Sequence, residues 1–253
     1  MKTVKFLVIL SIMLSLRSAW AGIDDDWISA VKERDLSAIE RLMDHGADVN
    51  LAMKDGKTAL MLAAQEGRVE LVQSLLDAGA TIDLRNRRGG TALMYAAVTG
   101  DPATIQMLLS RGAAINAQSS NGWTAIMIAS VKGYDKIVKL LLDHGADADV
   151  RDIYGWTPLM RAVDENRLPV VHTLLETNAT DLNATNDHGA TALHHAAAKG
   201  YLEIARLLIA DDADLERTDR EGQTPLMIAI RHGHDEIVDL INRTIDRKAL
   251  PES

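Results

Sequence analysis

Eight histidines and two carboxylate clusters are the groups in this sequence best suited to binding a metal or moving a proton. His194 and His195 are adjacent, and neighbours on a helix leave on different sides, so they make a poor chelate. His232 and His234 flank Gly233, while His45 and His144 precede a Gly-Ala-Asp turn. Asp24-Asp25-Asp26 and Asp211-Asp212 read as solvated surface, because acid–base work needs a pocket that excludes water. There is no cysteine, and no Gly-rich phosphate loop, H-E-x-x-H or nucleophile elbow. The sequence therefore predicts no catalytic residue, no cofactor, no metal site and no enzyme. What remains is recognition chemistry. Trp123, Tyr154 and Trp156 lie close in sequence, and Lys57, Arg87, Arg88, Lys132, Asp164 and Glu165 supply charge of both signs. Such a mixture suits a protein surface better than a polyanion.

The composition agrees. A formal charge of -9 over 253 residues repels phosphate backbones, so nucleic acid is not the expected partner. Aromatics make up 4% of the chain. Leu, Ala, Ile, Val and Met must then form the core, which favours closely packed helices over an aromatic-rich β core.

Residues 1–21 have the layout of a secretory signal peptide. Lys2 and Lys5 open it, Phe6 to Leu16 is apolar, and Ala19-Trp20-Ala21 is a small-x-small cleavage site. The apolar run is too short for a permanent anchor. Cleavage would remove Lys2, Lys5 and Arg17, taking the formal charge from -9 to about -12. Without cysteine the exported chain has neither disulfide nor lipid-attachment site, so a periplasmic location free of the membrane is expected. Sequons at Asn178, Asn183 and Asn242 would matter only in a eukaryotic source.

A repeat positions the recognition residues. Thr58, Thr91, Thr124, Thr157, Thr191 and Thr224 follow one another at spacings of 33, 33, 33, 34 and 33 residues. Each opens a run such as Thr58-Ala59-Leu60-Met61 or Thr157-Pro158-Leu159-Met160. Thr, or the residue beside it, caps a short helix. Pairs such as Ala63-Ala64 and Ala196-Ala197 allow close helix approach. Gly67, Gly100, Gly133, Asn166, Gly200 and Gly233 stop the helix nine residues after each Thr. A second helix follows, with apolar residues at three- and four-residue spacing, as in Leu71, Val72, Leu75 and Leu76. It ends at Gly46-Ala47-Asp48 or one of its five counterparts, and a hairpin loop leads to the next unit. One unit cannot bury its own apolar face, whereas stacked units share a core.

The 33-residue period with a T-P-L-H-x-A-A-like opening, a central Gly and a G-A-D ending resembles the ankyrin repeat, over residues 27 to 245. The resemblance implies an all-α solenoid of helix-turn-helix units joined by hairpin loops. The expected organisation is a signal peptide at 1–21 and a solenoid at 22–253. A half-repeat cap at 27–50 precedes six repeats, at about 51–83, 84–116, 117–149, 150–183, 184–216 and 217–247. It also implies a binding module whose partner is another protein. Contacts would come from the concave face, made of hairpin tips and the exposed ends of first helices, where all nine residues Trp123, Tyr154, Trp156, Arg87, Arg88, Lys57, Asp164, Glu165 and Lys132 fall. Tryptophan before Thr is also compatible with a ring packed on the next hairpin. Capped ends argue for a monomer. Exported bacterial members of the family imply support of a resident enzyme, such as the antioxidant enzyme catalase. An immunity protein blocking a periplasm-delivered toxin, or an effector exported onward, fits the same scaffold.

Two departures from the family pattern carry expectations. Met61, Met94, Met127, Met160 and Met227 stand where the family has His, and only His194 keeps it. In the family this His bonds to the loop of the adjacent repeat. The methionines either fill space or form a row of thioethers open to oxidants. The fourth repeat carries Val163, Asn166, Pro169, Asn178 and one extra residue before Thr191. A change of curvature, or a frayed loop over 178–187, is expected there.

Overall fold

In a computed structural model of the chain, the described residues are 22–33, 35–177 and 180–249. The expected signal peptide and the sequon residue Asn178 lie outside them. The described residues form α-helices joined by turns, with no strand among them. They fall into two compact units.

Of the described residues, the first unit holds those from 22 to 99 and Ala103–Ala113. It begins with α1 (22–33) and α2 (Leu36–Asp44), followed by α3 (Ala59–Gln65), α4 (Val69–Asp77), α5 (Ala92–Thr99) and most of α6 (Pro102–Ser110). Trp27 of α1 is fully buried, beside the buried Ala30, Val31 and Ile39. Asp35 caps α2 by accepting from Ala38 N at 3.0 Å. α3 packs on α4 and α5. Its apolar side is almost closed to solvent, with Leu60, Met61, Ala63 and Ala64 all at most 3% exposed. Burying a side chain of leucine size contributes about 1.5–3 kcal/mol.

Of the described residues, the second unit holds Gly100–Pro102 and those from 114 to 249. Its first helices are α7 (Ala125–Lys132), α9 (Pro158–Asp164), α11 (Ala192–Lys199) and α13 (Pro225–His232), each packed on the next. Its second helices, α8 (Asp135–Asp143), α10 (Leu168–Glu176), α12 (Leu202–Ala210) and α14 (Asp235–Ala249), make a parallel row. Every first helix in the two units opens on its Thr. The six hydroxyls accept from Met61, Met94, Met127, Met160, His194 and Met227 N at 3.3–3.5 Å. Each cap is worth about 1 kcal/mol. Pro169 falls in the first turn of α10, where no helical hydrogen bond is lost.

The methionines separate into two kinds. Met61, Met94, Met127 and Met160 are buried, so an open row of thioethers does not exist. Met227 is 54% exposed because α13 ends its row. His194 behaves as the family resemblance implies. Its Nε2 lies 3.1 Å from the Gln223 carbonyl in the following hairpin, and its Nδ1 accepts from Thr191 N. Burial pushes its pKa down.

Four side-chain rungs of one kind tie loops within the two units. Asn50 Oδ1 accepts from Thr81 N in the first unit. In the second, Asn116, Asp149 and Asn183 accept from Asp147, Asp181 and Asp214 N, at 2.8–2.9 Å. Over the described part of the irregular loop, 180–187, Thr180 donates its hydroxyl to Leu174 O and the ladder resumes at Asp181.

Candidate protein-binding surface

Hairpin tips in each unit are joined edge to edge by main-chain bonds. Arg87 N donates to Asp55 O in the first unit. In the second, Ile153, Asp187 and Arg220 N donate to Asn121, Tyr154 and His188 O, at 2.9–3.2 Å. Only glycine permits this approach at Gly56, where a Cβ would stand 2.7 Å from Arg87 N.

Within a tip, one side chain holds the turn. Asp152 Oδ1 accepts from Tyr154 N and Trp156 N, at 2.9 and 3.0 Å. Asn86 accepts in the same way from Arg88 and Gly90 N, and Asn186 from His188 and Ala190 N. The remaining polar atom of each turns to a residue nine positions later, on the first helix. Asn86 Nδ2 donates to the Tyr95 hydroxyl at 2.7 Å. Asp152 Oδ2 accepts from Arg161, through Nε at 3.0 Å and through the second guanidinium nitrogen. Asn186 Nδ2 lies 3.0 Å from His195 Nε2. These three pairs fasten tip to helix.

Arg161 also organises the aromatics. Its guanidinium carbon lies 5.0 Å from the Trp123 ring centre and 4.6 Å from that of Trp156. Trp156 in turn packs on His195, with ring centres 4.2 Å apart. A continuous stack of Trp123, Arg161, Trp156 and His195 results, in which each neighbour is a cation–π or ring contact. Burial drives the His195 pKa down to about 4. The bond to Asn186 agrees. Asn186 Oδ1 is committed to two backbone N–H groups, so its Nδ2–H faces Nε2, which must be an unprotonated acceptor.

The nine predicted residues take up different situations. Trp123 and Trp156 are half-buried in the stack, and Tyr154 makes no ring contact with either among the described residues. Tyr154 and its neighbour Ile153 are 59% and 56% exposed at the tip. Lys132 and Glu165 are exposed at helix ends, while Asp164 pairs with Lys199 of the next repeat at 3.2 Å. That carboxylate holds the Lys199 pKa up. In the first unit Arg87 and Arg88 are exposed. Lys57 pairs with Asp55 at 3.3 Å and sits 5.6 Å from the Tyr95 ring centre. Sequence reasoning missed Tyr95, Asp152, Arg161 and His195. The signal was present as a nine-residue spacing between a polar hairpin residue and a polar or aromatic helix residue.

Comparison with known proteins matches this architecture. The family model for ankyrin repeats fits residues 27–119, 100–186 and 178–248. The chain belongs to the ankyrin repeat family. It is similar to the ankyrin repeat domain of Bcl-3, a member of the IkappaB protein family. That likeness has 32% identity and a TM-score of 0.76, and covers 86% of this chain and 97% of that one. The human ASB11 ankyrin repeat domain is 26% identical with a TM-score of 0.74, over 89% of this chain and 98% of that domain. Among curated proteins, an ankyrin repeat protein of Rickettsia bellii (strain RML369-C) is 32% identical over 89 residues, 33% of this chain and 53% of the relative. The chain thus spans about half the length of that relative. Ankyrin repeats are a protein–protein interaction scaffold, and no catalytic family is indicated. No helix among the described residues is long and apolar enough to cross a membrane.

Proposed function

We propose that this protein is exported to the periplasm and there binds and supports a partner protein, with Ile153 and Tyr154 as its apolar anchors. Export is supported by the charge and apolar pattern of residues 1–21. The observation that carries the binding reading is the exposure of Ile153 and Tyr154 on a tip that is already fixed from beneath. A rigid anchor loses little conformational freedom on binding, so most of its apolar burial counts toward affinity. Tyrosine is among the residue types that most often dominate interfaces. Trp123 and Trp156 act through the stack that props the tip, and Lys132, Glu165 and the Asp164–Lys199 pair form its charged rim. The resemblance to exported bacterial members points to an antioxidant enzyme such as catalase as the class of partner.

The test is a cell fractionation followed by a pull-down from periplasmic extract. The native chain is expected in the periplasm with a partner bound, and the Ile153→Ser, Tyr154→Ser chain is expected there without it. A chain retained in the cytoplasm contradicts the export reading. Equal capture by both chains contradicts the anchor assignment. A native chain that captures nothing except a toxin supplied from outside makes it an inhibitor instead.

A further inference from the structure

The hairpin tips of the first unit concentrate positive charge in a chain whose formal charge is -9. Lys54, Asp55, Lys57, Asn86, Arg87, Arg88 and Tyr95 line a cleft of about 500 Å³ there. Its only carboxylate, Asp55, is committed. It accepts from Lys57 N at 3.1 Å and pairs with Lys57 Nζ, and the backbone bond holds its pKa below the usual carboxylate range. Lys54, Arg87 and Arg88 have no carboxylate partner among the described residues. The tips that carry them are fixed to each other by the Arg87 N to Asp55 O bond. Tyr95 borders the cleft, and its hydroxyl accepts from Asn86 while its own proton stays available to donate.

We infer that this cleft receives an extended acidic segment of the partner, with Arg87 and Arg88 pairing its carboxylates and Tyr95 offering a hydroxyl donor and a ring face. The inference rests on the protein-binding function proposed above. Two observations select a peptide over a phosphate. The N–H groups of Gly56, Lys57, Arg87, Arg88, Gly89 and Gly90 are all spent inside the hairpins, so no main-chain nest awaits a phosphate. The acidic chain as a whole repels a polyanion, whereas a short acidic stretch need only meet the local field. Planar guanidinium groups match carboxylates in a two-point fashion, which a flexible surface lysine does not.

The probe is a fluorescein-labelled peptide in which Glu and Asp alternate with Gly and Ser, with a twin carrying Gln and Asn. Anisotropy is followed with the full chain at several salt concentrations. The acidic peptide should bind, its twin should not, and added salt should weaken binding. Arg87→Glu with Arg88→Glu should lower affinity about tenfold or more without lowering the unfolding midpoint, because both side chains are exposed. Unchanged binding in that variant overturns the inference, as does tighter binding of a charge-matched oligothymidylate or equal binding of the twin. The two proposals fail separately. Peptide binding retained in a chain that captures no partner leaves the cleft assignment standing. Partner capture that survives both charge reversals, with no peptide bound, overturns the cleft assignment alone.

Discussion

Arg161 Nε donates to Asp152 Oδ2 at 3.0 Å, and the Asp152 side chain is wholly removed from solvent. One carboxylate thereby holds the tip that presents Tyr154, through Oδ1, and fastens that tip to α9, through Oδ2. Removing the arginine leaves a buried charge without its partner. Arg161→Ala is expected to lower stability by about 2–4 kcal/mol, somewhat less than for a fully enclosed pair because Arg161 keeps some solvent contact. Another repeat suggests the repair. Asp152→Asn with Arg161→Tyr copies the Asn86–Tyr95 pair and should recover stability to within about 1 kcal/mol of the native chain. Urea unfolding of both variants decides the matter. A double variant no more stable than Arg161→Ala would show that the nine-residue pairing is not the organising contact.

His195 makes stability depend on acidity. Its pKa is pushed down to about 4 by burial, while an unfolded histidine titrates near 6.5. Between these values the unfolded state holds the extra proton, so stability must fall as pH falls. The predicted loss from pH 7 to pH 5 is about 1–2 kcal/mol. His194, also lowered by burial, acts in the same direction. His195→Gln keeps an acceptor for Asn186 and removes the titration, so its urea midpoint should change less over this range. Identical pH dependence in the two proteins would place the effect elsewhere.

Oxidants should discriminate among the methionines at the Thr-capped helix starts. Met227 is 54% exposed, and Met61, Met94, Met127 and Met160 are at most 4% exposed. Dilute peroxide followed by peptide mass spectrometry should find sulfoxide at Met227 first, with the other four protected until the protein is unfolded. Early oxidation of Met127 or Met160 in folded protein would mean that their burial is not maintained in solution.

Asp212 occupies the left-handed region at φ 64°, where four of the corresponding turns have glycine, as at Gly145 with φ 88°. Its ion pair with Lys248 is exposed and adds little. Asp212→Gly relieves the backbone cost but enlarges the freedom of the unfolded chain, so a net gain of about 0.5–1 kcal/mol is expected. A lowered melting temperature would show that the Lys248 contact outweighs the backbone term.

Much of this was legible in the sequence because its causes are local. A Thr hydroxyl reaches a backbone N–H three residues on, and a glycine ends a helix by its own φ, so the helix starts and stops could be read from single positions. The exposed Tyr154 tip followed from the same register. The role of the tryptophans did not. Trp123 and Trp156 meet through Arg161, which lies on a helix of one repeat and reaches back to the previous one. No periodic rule places a residue type at that position, since the equivalent positions hold Tyr95 and His195. In the irregular fourth repeat the bonds of Thr180 and Asn183 were not legible either, because they reach partners six and 31 residues away.

The central claim is that the Ile153–Tyr154 tip touches the partner while the stack beneath it only holds the tip in place. Site-specific photo-crosslinking tests this most directly. A benzophenone amino acid replaces Tyr154 in one chain and Lys139, exposed on α8, in another. The account predicts a defined crosslinked protein from position 154 and none from position 139. Crosslinking from position 139 alone would contradict it and move the binding surface to the second helices.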